Sequence, residues 1–372
     1  MAGVRHTPAY VLDEEKLISN LKILQSVQEK AGCKILLAQK AFSMFRVYPV
    51  ISEYLAGTTA SGLYEARLGR EEFQGEVHVF SPAYKLEDMQ ALTGIADHIV
   101  FNSLSQLEKY HDMCRAAGKS IGLRINPECS TQETTIYDPC AAGSRLGVTA
   151  EKLTEFPDID GLHFHTLCEQ NADSLEITLK AVEEKFGKYL HQCKWVNFGG
   201  GHHITREDYD MDLLIKLIQD FRKKYNVEVY LEPGEAIALN AGYLITEIMD
   251  IVENHEIQTL ILDASAACHM PDVLEMPYRP PLYASGQPDE KEFNYRLSSC
   301  TCLAGDIIGE YSFENQQHIG GRLCFEDMMI YSMVKNNTFN GMPLPDIGIL
   351  HTDGSYEVIK KFDYQDFKGR LS

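Results

Sequence analysis

Four short stretches of the chain hold residue types that do chemistry. Lys40 follows the apolar run ILLAQ, and His165 stands in HFHTL. Gly199, Gly200 and Gly201 are consecutive, and Glu232 precedes Pro233-Gly234. An amine at a strand end among apolar neighbours has a lowered pKa, which is what a lysine needs to attack a carbonyl. A surface lysine with its stem laid along apolar side chains reads the same way. Consecutive glycines let backbone N–H groups approach an anion closely, as at phosphate sites, and they equally make a plain turn. Glu232-Pro-Gly is either a carboxylate aimed into a site or a bare turn. The order of the whole set carries more information than any member.

Such residues need elements to hold them. Eight short apolar runs recur along the first two thirds of the chain: KILLAQK from Lys34, TTASG from Thr58, EVHVFSP from Glu76, HIVFNS from His98, IGLRINP from Ile121, GLHFHTL from Gly161, WVNFGGG from Trp195 and EVYLEPG from Glu228. They show little alternation, as strands buried on both faces should. Helical patterns lie between them. One starts after Asp13 as N-cap and stops at Gly32; another starts at Ser103 and stops at Gly118. SLEITLKAVEEKFGKYL and MDLLIKLIQDFRKKYN are amphipathic at helical spacing. Eight alternations predict a (β/α)8 barrel over residues 11–240. After it, YLITEIMDIVEN, TLILDAS and HIGGRLCFED predict a β-rich domain over 241–372, joined by residues 1–10 as an edge strand. In such a barrel chemistry sits at the C-terminal strand ends, where Lys40, His165, the glycines and Glu232 all fall.

Composition narrows the function. The 34 Lys and Arg against 54 Asp and Glu give a formal charge of −20. That field disfavours nucleic acid and anionic membranes and suits a cationic substrate; it also serves solubility alone. Ten cysteines without a small disulfide framework indicate reduced thiols and a cytoplasmic protein. No signal-type apolar region opens the chain, and no run approaches the ~18 residues of a membrane span. Cys300-x-Cys302 lacks partners at zinc spacing, so no metal is expected. Trp195 reads as core, and His202-His203 as a pair shaping the glycine loop.

The ordered set resembles the fold-type III pyridoxal-phosphate decarboxylases, which include ornithine, arginine and diaminopimelate decarboxylases. LLAQKAFS, TTASGLYEARLG, FNSLSQL, SRLGV, HFHTLCE, WVNFGGGHH, YLEPGEA, ILDASAACHMPD, CTCLAGDIIGEY, MVKNNTFNG and FDYQDFK resemble the carboxynorspermidine group more closely, over nearly the whole chain. The resemblance implies roles for residues. Lys40 would bind the cofactor covalently, His165 would stack on its ring, and Glu232 would pair with the pyridine nitrogen. Gly199, Gly200, Gly201 and the Tyr331 hydroxyl would hold the phosphate, with Arg145 as a basic group nearby. Cys302 would supply a proton to the α-carbon, with the acidic Asp306 beside it as a substrate-binding acid. The family's sites lie between subunits, which implies a homodimer in which Cys302, Asp306 and Tyr331 come from the partner chain. A carboxylate at Glu232, where related racemases have Arg, favours decarboxylation, because it keeps the pyridine nitrogen protonated.

Three departures from the better-known relatives bear on substrate. Glu235 follows Glu-Pro-Gly where they have Arg, Leu303 replaces an acid after the cysteine, and His165-Thr166-Leu167-Cys168 replaces H-x-G-S. These favour carboxynorspermidine or carboxyspermidine as substrate, with norspermidine or spermidine as product. Glu169, Asp272 and Glu235 are the candidate partners of the distal amines, each equally readable as a solvated or structurally paired acid. The rival readings are a decarboxylase of another basic amino acid such as diaminopimelate, for which Arg279 would be the carboxylate partner, a racemase, and a non-catalytic regulatory homologue.

Overall fold

The computed structural model describes residues 3–132 and 135–372. The chain divides into two units, one of residues 19–237 and one of residues 1–18 with 238–372.

The chain opens with β1 (Ala9–Asp13), which belongs to the second unit. The first unit is the expected barrel. Its strands are β2 (Lys34–Ala38), β3 (Gly57–Ala60), β4 (Glu76–Phe80), β5 (His98–Phe101), β6 (Ser120–Arg124), β7 (Gly161–His163), β8 (Trp195–Asn197) and β9 (Glu228–Leu231). Each pairs in parallel with the next, and β2 pairs with β9 to close the ring. All eight apolar runs became these strands. The helix ends follow the capping residues. Asp13 Oδ1 accepts from the Lys16 N–H at 3.1 Å ahead of the helix Glu14–Ala31, and Gly32 ends it at φ +68°. Ser103 Oγ accepts from the Gln106 N–H at 3.3 Å, and Gly118 ends that segment at φ +68°. Trp195 is core: with Leu36, Val100 and Tyr230 it fills the barrel interior. A Cβ on Gly122 or Gly161 would meet its indole at 2.4 or 2.2 Å, so glycine on β6 and β7 makes room for the ring.

The second unit is one eight-stranded sheet. It contains β1 with β10 (Gly242–Asn254), β11 (Ile257–Leu262), β12 (Phe293–Ser299), β13 (Ile307–Phe313), β14 (Arg322–Glu326), β15 (Asp346–Leu350) and β16 (Tyr356–Lys360). The order is β13-β12-β11-β10-β1-β15-β16, with β14 also on β10. β1 is interior, not an edge: it lies antiparallel to β10 and parallel to β15. The terminal segment in this unit therefore extends past residue 10, because Tyr10, Val11 and Leu12 are buried in the sheet.

Candidate active site

The C-terminal strand ends of the barrel gather the chemistry-bearing residues. Beyond β2, the buried Gln39 donates its amide to the Glu65 carbonyl at 2.8 Å and accepts from the Tyr48 hydroxyl at 3.1 Å. This anchors the turn that presents Lys40. The Lys40 side chain is open to solvent, and its amine makes no hydrogen bond or ion pair among the described residues. The surrounding barrel atoms withdraw water from the amine and lower its pKa; Glu232 opposes this and Arg124 adds to it. Because solvent reaches the side chain, water screens part of that shift.

His165 follows β7. Its Nδ1 accepts the Gly200 N–H at 3.0 Å, so the ring is held with Nδ1 as acceptor. Burial keeps the imidazole neutral, holding its pKa well below the usual value. The glycine loop is pinned from both sides. A Cβ on Gly199 would stand 2.5 Å from the Phe164 carbonyl, one on Gly200 2.5 Å from the Glu232 carbonyl, and one on Gly201 2.0 Å from the Leu167 carbonyl. Gly199 and Gly201 also adopt φ of +72° and +81°, where a side chain is strained.

Glu232 ends β9 and is buried. Its Oε1 accepts from Asn197 Nδ2 at 2.7 Å, while Asn197 Oδ1 accepts from the Gly199 N–H at 2.8 Å. One amide thus ties the glycine loop to the carboxylate. Glu232 Oε2 is 3.8 Å from His163 Nε2. Burial pushes the carboxyl pKa up, but His163, His78 and hydrogen bonds from Asn197 and Thr59 outweigh it and hold it below the usual range. Arg124, buried at the end of β6, stacks 4.6 Å over Phe80 and donates to the His165 carbonyl at 3.1 Å. Arg124, Asn197 and His163 were not singled out from sequence. The available signal was a lone charge or amide closing an apolar strand.

The arrangement suits pyridoxal phosphate. It offers an unpaired amine, a neutral imidazole beside it, a close-packed glycine loop, and a buried carboxylate that takes hydrogen bonds from the neutral donors Asn197 and Thr59 and has no Lys or Arg ion pair among the described residues. A protonated ring nitrogen would supply the cation that such a carboxylate favours.

The remaining expected residues are divided between the two units. The Arg145 side chain is exposed and makes no hydrogen bond or ion pair among the described residues; its carbonyl accepts from Asn102 at 2.9 Å. In the second unit, Cys302 is exposed on the β12–β13 loop, with Sγ 2.8 Å from Asn340 Oδ1. Tyr331 sits at φ +57° and ψ −38°, an uncommon conformation for a bulky residue, and is partly buried. Asp306 does not have the substrate-facing carboxylate expected of it. It is buried, and it accepts from Ser265, Ser299 and Thr301 hydroxyls at 2.7, 2.6 and 2.5 Å and from the Ala266 and Ala267 N–H groups at 2.8 and 3.2 Å. Its lone pairs are taken by donors that flank the Cys302 loop. Asp272 is ion-paired with Lys335. Glu169 and Glu235, by contrast, meet at the barrel mouth around His203, with acceptor atoms no more than 4.8 Å apart.

Comparison with known proteins gives the family. The family described as "Pyridoxal-dependent decarboxylase, C-terminal sheet domain" matches residues 9–329. A carboxynorspermidine/carboxyspermidine decarboxylase of Campylobacter jejuni is 44% identical, covering 98% of both chains. A carboxyaminopropylagmatine decarboxylase of Synechocystis is also 44% identical, covering 98% of this chain and 95% of that one. The crystal structure of the Campylobacter jejuni carboxynorspermidine decarboxylase complexed with norspermidine superposes at a TM-score of 0.92 with 43% identity, covering 98% of this chain and 100% of that one. A lysine, a glycine loop and a buried carboxylate at the strand ends of a barrel, in a chain matched over residues 9–329 and 44% identical to a full-length relative, make this a member of the pyridoxal-dependent decarboxylases, with pyridoxal phosphate as cofactor.

Proposed function

We propose that the protein decarboxylates a carboxylated triamine, carboxynorspermidine or carboxyspermidine, releasing CO2 and norspermidine or spermidine. The observation that carries the substrate class is Glu235. It puts an acid, with Glu169 beside it, where better-known relatives have Arg. Arg279, the residue a diaminopimelate pocket would use, instead stacks 4.6 Å over Tyr311 and donates to the Gly286 carbonyl at 3.1 Å. The charge of −20 adds a field that attracts a polycation.

Pyridoxal phosphate, when bound, supplies the electron sink for the charge left by CO2 loss. The protein's residues do the rest. Lys40 would offer an amine of lowered pKa to the cofactor carbonyl. Glu232 would hold a proton on the ring nitrogen. His165 would present a neutral ring face, and the loop of Gly199, Gly200 and Gly201 would pack closely against the phosphate, with the Gly199 and Gly200 N–H groups already donated to Asn197 and His165 and the Tyr331 hydroxyl as a further phosphate donor. Arg145 supplies a basic group near that end. Cys302 holds the proton returned to the α-carbon, and Asp306 fixes its loop. We infer a homodimer with shared sites, because Cys302 stands exposed on a loop of the second unit. We infer a cytoplasmic location from ten free thiols; no helix among the described residues is long and apolar enough to cross a membrane.

The test is CO2 release by the enzyme with pyridoxal phosphate, offering carboxynorspermidine, carboxyspermidine, carboxyaminopropylagmatine, diaminopimelate, ornithine and arginine in parallel. Turnover confined to the carboxylated polyamines supports the reading. Turnover of diaminopimelate or ornithine alone overturns it. The Synechocystis relative makes the guanidino-tailed substrate the specific second reading.

A further inference from the structure

The barrel mouth holds a second polar group beside the Lys40–Glu232 set. Glu169, His203 and Glu235 come from three segments, following β7, β8 and β9, and their acceptor atoms converge within 4.8 Å. His203 Nε2 lies 3.8 Å from Glu235 Oε2. The ring is 9% exposed, yet neither of its nitrogens has a hydrogen-bond partner among the described residues. Buried polar atoms are seldom left in that state without a ligand to meet them. Burial also holds the imidazole pKa below the usual value, so one ring nitrogen is a bare acceptor. Cys168 lies in the field of Glu235 and Glu169 and, with opposite sign, of Lys40.

We propose that Glu169, His203 and Glu235 form a three-acceptor socket for a primary ammonium group of the substrate, and that the socket selects an ammonium tail over a guanidinium tail. The proposal rests on the decarboxylase reading above and decides between the two substrate classes that its relatives leave open. A primary ammonium has three donors and no acceptor, matching three convergent acceptors. Acceptors placed tetrahedrally about 2.8 Å from a nitrogen stand about 4.6 Å apart. Ligands about 2.1 Å from a zinc ion stand only about 3.4 Å apart. His203 Nε2 and Glu235 Oε2 stand 3.8 Å apart, between the two values, and the zinc arm of the experiment separates the two ions. A guanidinium spreads its donors in one plane and is best met by a coplanar carboxylate pair, which leaves an imidazole acceptor unused.

The experiment compares steady-state CO2 release from carboxynorspermidine and carboxyaminopropylagmatine by holoenzyme carrying His203→Leu, His203→Gln or Glu235→Gln. Norspermidine binding is followed by calorimetry. The wild type should prefer the ammonium-tailed substrate at least about tenfold in kcat/KM. His203→Leu and Glu235→Gln should raise its KM and weaken norspermidine binding roughly ten- to a hundredfold, with kcat within about threefold. His203→Gln, which keeps an acceptor, should recover much of the loss. Unchanged KM in both Glu235→Gln and His203→Leu overturns the socket, as does a wild-type preference for the guanidino substrate. Zinc binding that is lost in His203→Leu, together with inhibition by a chelator, overturns it in favour of a metal. CO2 from neither substrate overturns the decarboxylase reading itself, a separate result. Glu235→Gln, the more conservative change, carries the test if His203→Leu fails to fold.

Discussion

The two ends of the barrel use the same residue types to opposite effect. At the N-terminal end, Lys34 Nζ lies 2.5 Å from Glu76 and 3.0 Å from Glu228, and the Tyr230 hydroxyl lies 3.0 and 2.8 Å from the same two acids. His78 Nε2 completes the group 2.9 Å from Glu76, with the His98 ring stacked on it at 3.9 Å and 8°. Parallel stacked rings cannot aim both nitrogens at one ion, and His78 Nδ1 and His98 Nδ1 have no hydrogen-bond partner among the described residues. At the C-terminal end, Lys40 has no ion pair among the described residues, Glu232 faces a neutral histidine, and His203 has two idle nitrogens. Lysine and carboxylates pair with one another at one end and not at the other. That contrast, more than residue type, separates structural from functional polarity in this barrel.

Substitutions at the C-terminal end should cost activity, and those at the N-terminal end stability. Lys40→Ala should lower CO2 release by roughly a thousandfold or more, because no amine remains to hold the cofactor, and should abolish the visible absorbance of the bound cofactor. Full turnover by that variant removes Lys40 from the mechanism. Glu232→Gln keeps the shape but loses the charge on the ring nitrogen. It should lower kcat about 10²–10³-fold with KM little changed, read by initial rates. Cys302→Ala should slow amine release by about 10²-fold and divert product to an aldehyde detectable by carbonyl trapping. Normal product at normal rate excludes Cys302 as proton donor.

Glu76→Gln, at the N-terminal end, should leave CO2 release unchanged and lower stability by about 1 kcal/mol near pH 7, read as a drop in Tm. Burial raises the Glu76 carboxyl, and His78 and Lys34 more than offset it, holding it at about 2 against an ordinary 4.5. Its contribution is therefore full above about pH 4.5 and fades as pH falls towards 2. A Tm gap between variant and wild type that widens on acidification contradicts this assignment.

The barrel was legible because its strands are buried on both faces and its helices carry capping residues: Ser103, Gly118 and Asp13 each stand at the helix end they predict. The second unit was less legible. Strands β12, β13, β15 and β16 escaped notice because runs such as FNYRLSS and YEVIK mix polar and apolar residues, as half-wet strands do. At the site, Lys40, His165, the glycines and Glu232 were readable as strand-end oddities. Asn197 and Arg124 were not, because their roles depend on neighbours across the ring. Asp306 looked like a substrate acid because sequence cannot show that five donors already surround it.

The placement of β1 has a consequence for biosynthesis. Ala9 is paired on one side with Ile245 and on the other with Asp346. The ribosome makes this strand ahead of both partners, and neither exists until the whole barrel has emerged. Residues 9–13 must therefore wait, unpaired and apolar, through most of translation. The barrel can close early from contacts between successive strands, whereas the sheet is gated by its latest segment. A nascent chain halted just short of residue 346 would carry a finished barrel and an unsealed sheet. That window is when the chain is most open to a chaperone or to pairing with another copy.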